Sequence, residues 1–293
     1  MSFAGGSLEE KRARRRRRKG MFLLPSLFTI ANMAAGFYAI THATQAAMST
    51  DPRAAASNFD LAAKAIGVAV FFDGMDGAIA RLTNTTSDFG RELDSLADVV
   101  TFGVAPALLA WLWGIHQLPL VLSQTILEPL GRVGVIASFV FLAAGAARLA
   151  RFNIQANPQP SNPGRPGRKY FVGMPIPAGA GCIAAVVHFR GGAPVQVWWT
   201  AVAWILFIMV LAFLMVSRWR FWSAKSLDFR SGHPFRLVVI IGLMIYAIVN
   251  YSRYVLLAMA GAYLVSGVLA RVVYSLERRA EVQPPPQAAS GAS

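Results

Sequence analysis

Four aspartates, Asp73, Asp76, Asp94 and Asp98, interrupt long apolar stretches at fixed spacing. On a helix, Asp73 and Asp76 stand at i and i+3, and Asp94 and Asp98 at i and i+4, so each pair shares one face. An antiparallel helix pair would bring all four carboxylates together. At membrane depth each Asp costs about 2.5–3.5 kcal/mol, so four cost about 10 kcal/mol before they repel one another. Arg81 and Arg91 neutralise two at best. The remaining deficit calls for divalent cations, and an all-oxygen carboxylate site suits Mg²⁺ or Mn²⁺. Four carboxylates shared by two metals can run a displacement at phosphorus. Gly74, Gly77 and Ala80 clear one helix face for a ligand, although close helix packing would use them equally well. Arg81 lies five residues past Asp76, about 7.5 Å along the axis, within reach of a phosphate held beside the carboxylates.

The elements that must carry these residues are apolar. The chain has 293 residues, 55% hydrophobic and only 14% charged. A soluble domain of this size carries about 25% charged residues, so most of this chain does not face water. Apolar spans are expected at 25–44, 60–82, 90–114, 133–152, 173–189, 196–217, 235–250 and 252–273. This is an all-α polytopic membrane bundle of about eight spans. The last two are separated only by Asn250-Tyr251-Ser252-Arg253. The basic run Lys11–Lys19 precedes the first span and reads as a cytoplasmic arm against anionic headgroups rather than a nucleic-acid site. Met21–Ile40 is long for a signal-peptide core and reads as a retained first helix. With eight spans and a cytoplasmic N-terminus, 23 of the 28 Lys and Arg fall on inside segments and 5 outside. That asymmetry puts both termini and the aspartates on the cytoplasmic side, and the expected location is an inner membrane. The lone Cys182 reads as packing, and Trp111, Trp113, Trp198 and Trp199 as interfacial anchors. The expected organisation is a basic arm over 1–20, a catalytic membrane domain over 21–275 and a disordered tail over 276–293. Between the fourth and fifth spans, the Pro- and Gly-rich stretch Asn157–Arg168 reads as an irregular loop.

The aspartate segment spells D-x2-D-G-x2-A-R-x8-G-x3-D-x3-D, from Asp73 through Gly90 to Asp98. It resembles the signature of the CDP-alcohol phosphatidyltransferase family. Eight specified positions at this spacing arise by chance with odds on the order of 10⁻⁷ to 10⁻⁸. The resemblance implies that Asp73, Asp76, Asp94 and Asp98 hold two divalent metals and that Asp98 also serves as general base. It further implies that Asp73, Gly77, Ala80, Arg81 and Gly90 line the nucleotide and diphosphate site, within a six-helix core. A homodimer is implied as well.

The acceptor alcohol is a separate question. Four more stretches resemble the membrane-spanning bacterial branch of the family that uses serine: Leu24–Asn32, Asp94–Pro106, Ala147–Asn153 and Phe171–Pro177. Ser26 stands where that branch often has Asn. The resemblance implies CDP-diacylglycerol and serine as substrates, with phosphatidylserine and CMP as products. Arg148 and Arg151, near the cytoplasmic end of the fourth span, are costly there without anionic partners. With Arg168 and Lys169 they are candidates to hold the serine carboxylate or the lipid phosphates, although snorkelling to headgroups would also explain them. Glycerol 3-phosphate, an inositol phosphate and choline remain open as acceptors. A cation-coupled transporter is the distant alternative, and the acidic cluster occurs in one place only.

Overall fold

The computed structural model describes residues 8–83, 88–119, 124–156, 170–217, 219–222 and 234–282, with described side chains lying within 27–74, 89–119, 125–154, 173–219 and 239–271. The elements in chain order are α1 (Leu8–Met48), α2 (Pro52–Thr83), α3 (Asp88–Asp98), a π-helical turn π1 (Val99–Val104), α4 (Ala105–Trp111), a second π turn π2 (Leu112–His116), α5 (Gln124–Ala156), β1 (Tyr170–Val172), α6 (Ile176–Phe189), α7 (Trp198–Val216), β2 (Arg220–Trp222) and α8 (Pro234–Val282). The expected polytopic helical membrane bundle is observed, with one addition. Strands β1 and β2 pair antiparallel as a short ribbon.

Fewer membrane-length helices are found among the described residues than the eight spans expected. Among the described residues, five helices are long and apolar enough to cross a membrane: Pro52–Gly74, Phe89–His116, Thr125–Ile154, Trp198–Val216 and Gly242–Leu269. Helix α6 has 14 residues, about 21 Å of rise against a hydrocarbon core of about 30 Å. The expected spans 235–250 and 252–273 both fall in α8, whose helical geometry breaks at Tyr251 (φ −130°, ψ 32°). The polar cluster at 250–253 therefore does mark an interruption. Helix α1 begins at Leu8, so the basic run forms its first turns. Helix α8 continues to Val282, past the expected domain edge at 275. The loop Asn157–Arg168 and the tail after 282 lie outside the described residues.

Local chemistry explains how α1 and α2 pair. Asp51 caps α2, its carboxylate accepting from the Arg53 and Ala54 amides at 3.0 and 3.3 Å. Pro52 takes the first helical position, where the missing N–H is no loss. The helices then pack against each other, and Ala39, Ala43 and Ala46 on α1 and Ala55, Ala62, Ala63 and Ala69 on α2 are all buried. Lipid tails are as apolar as leucine, so membrane helices gain from close approach rather than from apolarity, and a small-residue seam permits it. Large apolar side chains such as Phe37, Phe71, Ile136, Phe139, Leu206 and Phe213 remain exposed on the outer faces, as lipid contact requires.

The end of the bundle remote from the aspartates is tied by polar contacts. His188 of α6 is buried. Its Nδ1–H donates to Asp60 of α2 at 2.6 Å, and its Nε2 lies 2.9 Å from the Ser252 hydroxyl beside the α8 break. Lys64 pairs with the other Asp60 oxygen at 2.8 Å. Trp113 is not an interfacial anchor. It is 2% exposed, and its indole N–H donates to the Gly192 carbonyl at 3.1 Å. Hydropathy alone does not separate a core Trp from a belt Trp. Trp198 and Trp199, at the start of α7, are exposed.

Gly192 closes the turn after α6 at φ +72°, and a Cβ there would run into the Ala56 carbonyl of α2. Gly192→Ala should therefore destabilise the fold by about 2–4 kcal/mol, adding left-handed strain to a backbone clash. A lowered thermal-inactivation midpoint in detergent is the expected reading, and an unchanged midpoint would contradict this packing.

Candidate active site

Helix α2 starts at Pro52 and reaches Asp73 about 32 Å further along its axis, one hydrocarbon thickness from the capped turn. The returning rod α3–π1 starts at that same depth. Asp94 and Asp98, one turn apart on α3, therefore face Asp73 on α2. One carboxylate oxygen from each of Asp73, Asp94 and Asp98 lies within 4.8 Å of the other two. Asp98 is 8% exposed, while Asp73 and Asp94 are half-buried. Three of the four predicted aspartates are thus brought together. The backbone of Asp76, Gly77, Ala80 and Arg81 continues α2, but their side chains lie outside the described residues.

Asp98 is held from α1. The Asn32 side-chain N–H donates to Asp98 Oδ1 at 3.4 Å. Thr101, in the π turn directly after Asp98, donates its hydroxyl to the Asn32 carbonyl at 3.1 Å. Gly36, one turn past Asn32, has no room for a side chain, because a Cβ would run into the Thr101 hydroxyl. The wide π1 turn continues Asp98 without a break and buries Thr101, Phe102 and Gly103. Such turns insert an extra residue into a helix and are frequent at functional sites. The Phe28 and Phe72 rings, 6.3 Å apart, pack α1 against α2 next to Asp73.

The predicted basic residues divide. Arg148 on α5 is buried, with its guanidinium 5.3 Å over the Phe152 ring, inside cation–π range. It lies within electrostatic range of Asp98, Asp73 and Tyr263. Arg151, one turn away in sequence, instead donates to the Val216 carbonyl at the end of α7 at 3.2 Å, a contact that satisfies a helix C-terminus. Arg168 and Lys169 lie outside the described residues. Gly90 is half-buried near the start of α3. Asn153 ties α5 to that helix by donating to Ser95 Oγ at 2.8 Å.

Sequence reasoning assigned no role to Asn32, Thr101 or Tyr263. Asn32 ends the stretch Leu24–Asn32, where a polar residue closing an apolar run is the available signal. Tyr263, among many aromatics, offered none. Gly173 adopts φ +78° with its N–H donating to the Trp219 carbonyl at 2.8 Å, and Pro175 and Pro177 start α6.

The donor set is all carboxylate oxygen and closely spaced. It fits a hard divalent cation such as Mg²⁺ or Mn²⁺. Asp73, Asp94 and Asp98 are the described residues that could hold one.

The chain is similar to known proteins. A family model described as CDP-alcohol phosphatidyltransferase matches residues 22–209. A Helicobacter pylori protein named CDP-diacylglycerol–serine O-phosphatidyltransferase is 32% identical over 255 residues, covering 85% of this chain and 91% of that protein. A Mycobacterium leprae protein of the same name is 34% identical over 215 residues, covering 71% of this chain and 60% of its own. One from Bacillus subtilis is 33% identical over 163 residues, covering 56% and 74%.

Manganese binding by the purified protein, followed by loss of the free Mn²⁺ electron paramagnetic resonance signal, tests the donor set. Asp94→Asn is expected to weaken binding at least about tenfold, since a neutral amide replaces a charged ligand. Unchanged binding would remove Asp94 from the site.

Proposed function

The chain belongs to the CDP-alcohol phosphatidyltransferase family, and from that membership we propose that it transfers the phosphatidyl group of CDP-diacylglycerol to the hydroxyl of L-serine, releasing CMP. The observation that carries the reading is the convergence of Asp73, Asp94 and Asp98 from two helices, with the buried Arg148 in electrostatic range. The serine assignment is supported by the printed names of the relatives and by a buried guanidinium suited to a carboxylate.

In this reading, Asp98 accepts the proton of the serine hydroxyl as its oxygen attacks the phosphorus bearing the diacylglycerol. A new phosphoester bond forms at that phosphorus, the diphosphate bridge breaks, and CMP departs. Two divalent cations held by Asp73, Asp76, Asp94 and Asp98 would supply positive charge against the diphosphate and the departing phosphate. Asn32, donating to one Asp98 oxygen, orients the carboxylate so that its other oxygen can take the proton. Arg148 holds an anionic group of the acceptor or lipid, while Gly77, Ala80, Arg81 and Gly90 lie along the nucleotide and its diphosphate. Arg168 and Lys169 extend the basic lining, and the Lys11–Lys19 run engages anionic lipids. The active site and both termini face the cytoplasm in an inner membrane, as the distribution of Lys and Arg favours.

Asp98→Asn should lower CMP release by about 10²–10⁴-fold, the range for a lost general base. CDP-diacylglycerol binding should persist, and the wild-type product should have the mass of phosphatidylserine. A variant that keeps wild-type turnover would overturn the base assignment.

A further inference from the structure

One buried polar atom beside the aspartates is not used by the reaction scheme. Asn32 is 2% exposed, and its Oδ1 has no hydrogen-bond partner among the described residues. The orientation of the amide is fixed by its other end. Nδ2 donates to Asp98 Oδ1, and a flipped amide would set two acceptor oxygens against each other. The backbone beneath it is held too, because Thr101 donates to the Asn32 carbonyl and Gly36 packs against Thr101. An amide oxygen buried without a donor costs about 1–3 kcal/mol, so a position that maintains one should be matched by a donor that arrives with a ligand.

The surroundings narrow that ligand. Asp73, Asp94 and Asp98 supply acceptors, and Arg148 supplies donors for an anionic group. The missing complement is a cationic or neutral N–H or O–H donor adjacent to the acceptor hydroxyl. An ammonium offers three donors and no acceptor. We infer that Asn32 forms an ammonium subsite, its Oδ1 accepting an N–H from the amine of a 2-amino alcohol whose hydroxyl faces Asp98. The inference rests on the reading of serine as acceptor and deepens it. Asn32 selects for the amine, and the Arg148 side of the site takes the carboxylate.

The test compares two acceptors with the full-length protein in detergent, using CDP-diacylglycerol and Mn²⁺ with CMP release as the readout. L-Serine is set against 3-hydroxypropionate, which is serine with hydrogen in place of the ammonium. The wild type should prefer serine in kcat/KM by about 10- to 100-fold, the worth of a hydrogen bond to a charged group. Asn32→Leu, close in shape but without either amide atom, should raise the KM for serine by a similar factor. It should bring the preference towards one while changing the KM for CDP-diacylglycerol less than about threefold. Asn32→Asp keeps an acceptor oxygen and should retain the preference at lower kcat, because the donor to Asp98 is lost. If Asn32→Leu slows both acceptors alike and the preference survives, Asn32 only positions Asp98 and the ammonium subsite is wrong, with the proposed reaction intact. If the Leu variant does not fold, as judged by its elution profile, the Asp variant decides: loss of the preference there overturns the subsite. A wild type that releases no CMP with serine, but does so with another alcohol, overturns the serine reading and this inference together.

Discussion

Gathering like charges where water is scarce is the constraint around which this bundle is built. Oxygens from three carboxylates within 4.8 Å of one another repel by about 3.5 kcal/mol per pair at an effective dielectric of about 20. No lipid-facing helix would tolerate that alone. The arrangement survives because the backbone leaves the carboxylates no escape. The Asp51 cap and the alanine seam set the depth of Asp73, while Asn32, Thr101 and the π turn pin Asp98. Arg148, packed on Phe152, supplies positive charge from a third direction. Such a site is suited to divalent cations, whose positive charge would relieve the repulsion between the carboxylates.

The remote end of the bundle does complementary work. His188 links α2 to α8 about 20 Å along α2 from Asp73, by way of Asp60 and Ser252. Trp113 and Trp204 meet edge to face at 5.0 Å, and each indole donates to a backbone carbonyl. Buried polar contacts with every partner supplied specify one packing among several that lipid would otherwise permit. Rigidity there keeps the helix depths fixed at the aspartates, where a small displacement would change every carboxylate distance.

The sequence made the aspartates readable because their spacing is short and local. Positions 73 and 76, and 94 and 98, announce shared faces through helix periodicity alone. The apolar helices were equally plain, since about 20 apolar residues in a row have few other uses. What sequence did not disclose is long-range or geometric. The pairs Asn32–Asp98, Thr101–Asn32 and Asp60–His188 are separated by 66, 69 and 128 positions, and no local pattern signals them. A π turn leaves no signature in residue type. Trp113 looked like a belt residue because its neighbours are apolar in either setting, and Arg151 matched Arg148 in type while its partner, the Val216 carbonyl, lies on another helix. The eight-span expectation divides α8 at a cluster that the structure shows as a break at Tyr251, and its fifth span corresponds to the 14-residue α6.

The most direct test of the account is CMP release by the purified full-length protein given CDP-diacylglycerol and Mg²⁺ or Mn²⁺, with serine, glycerol 3-phosphate, inositol phosphate and choline supplied one at a time. Release with serine alone, abolished by EDTA and restored by added metal, is the result this account requires. Release that persists in EDTA would contradict the role given to the carboxylates, and release with a different alcohol would keep that role and contradict the acceptor.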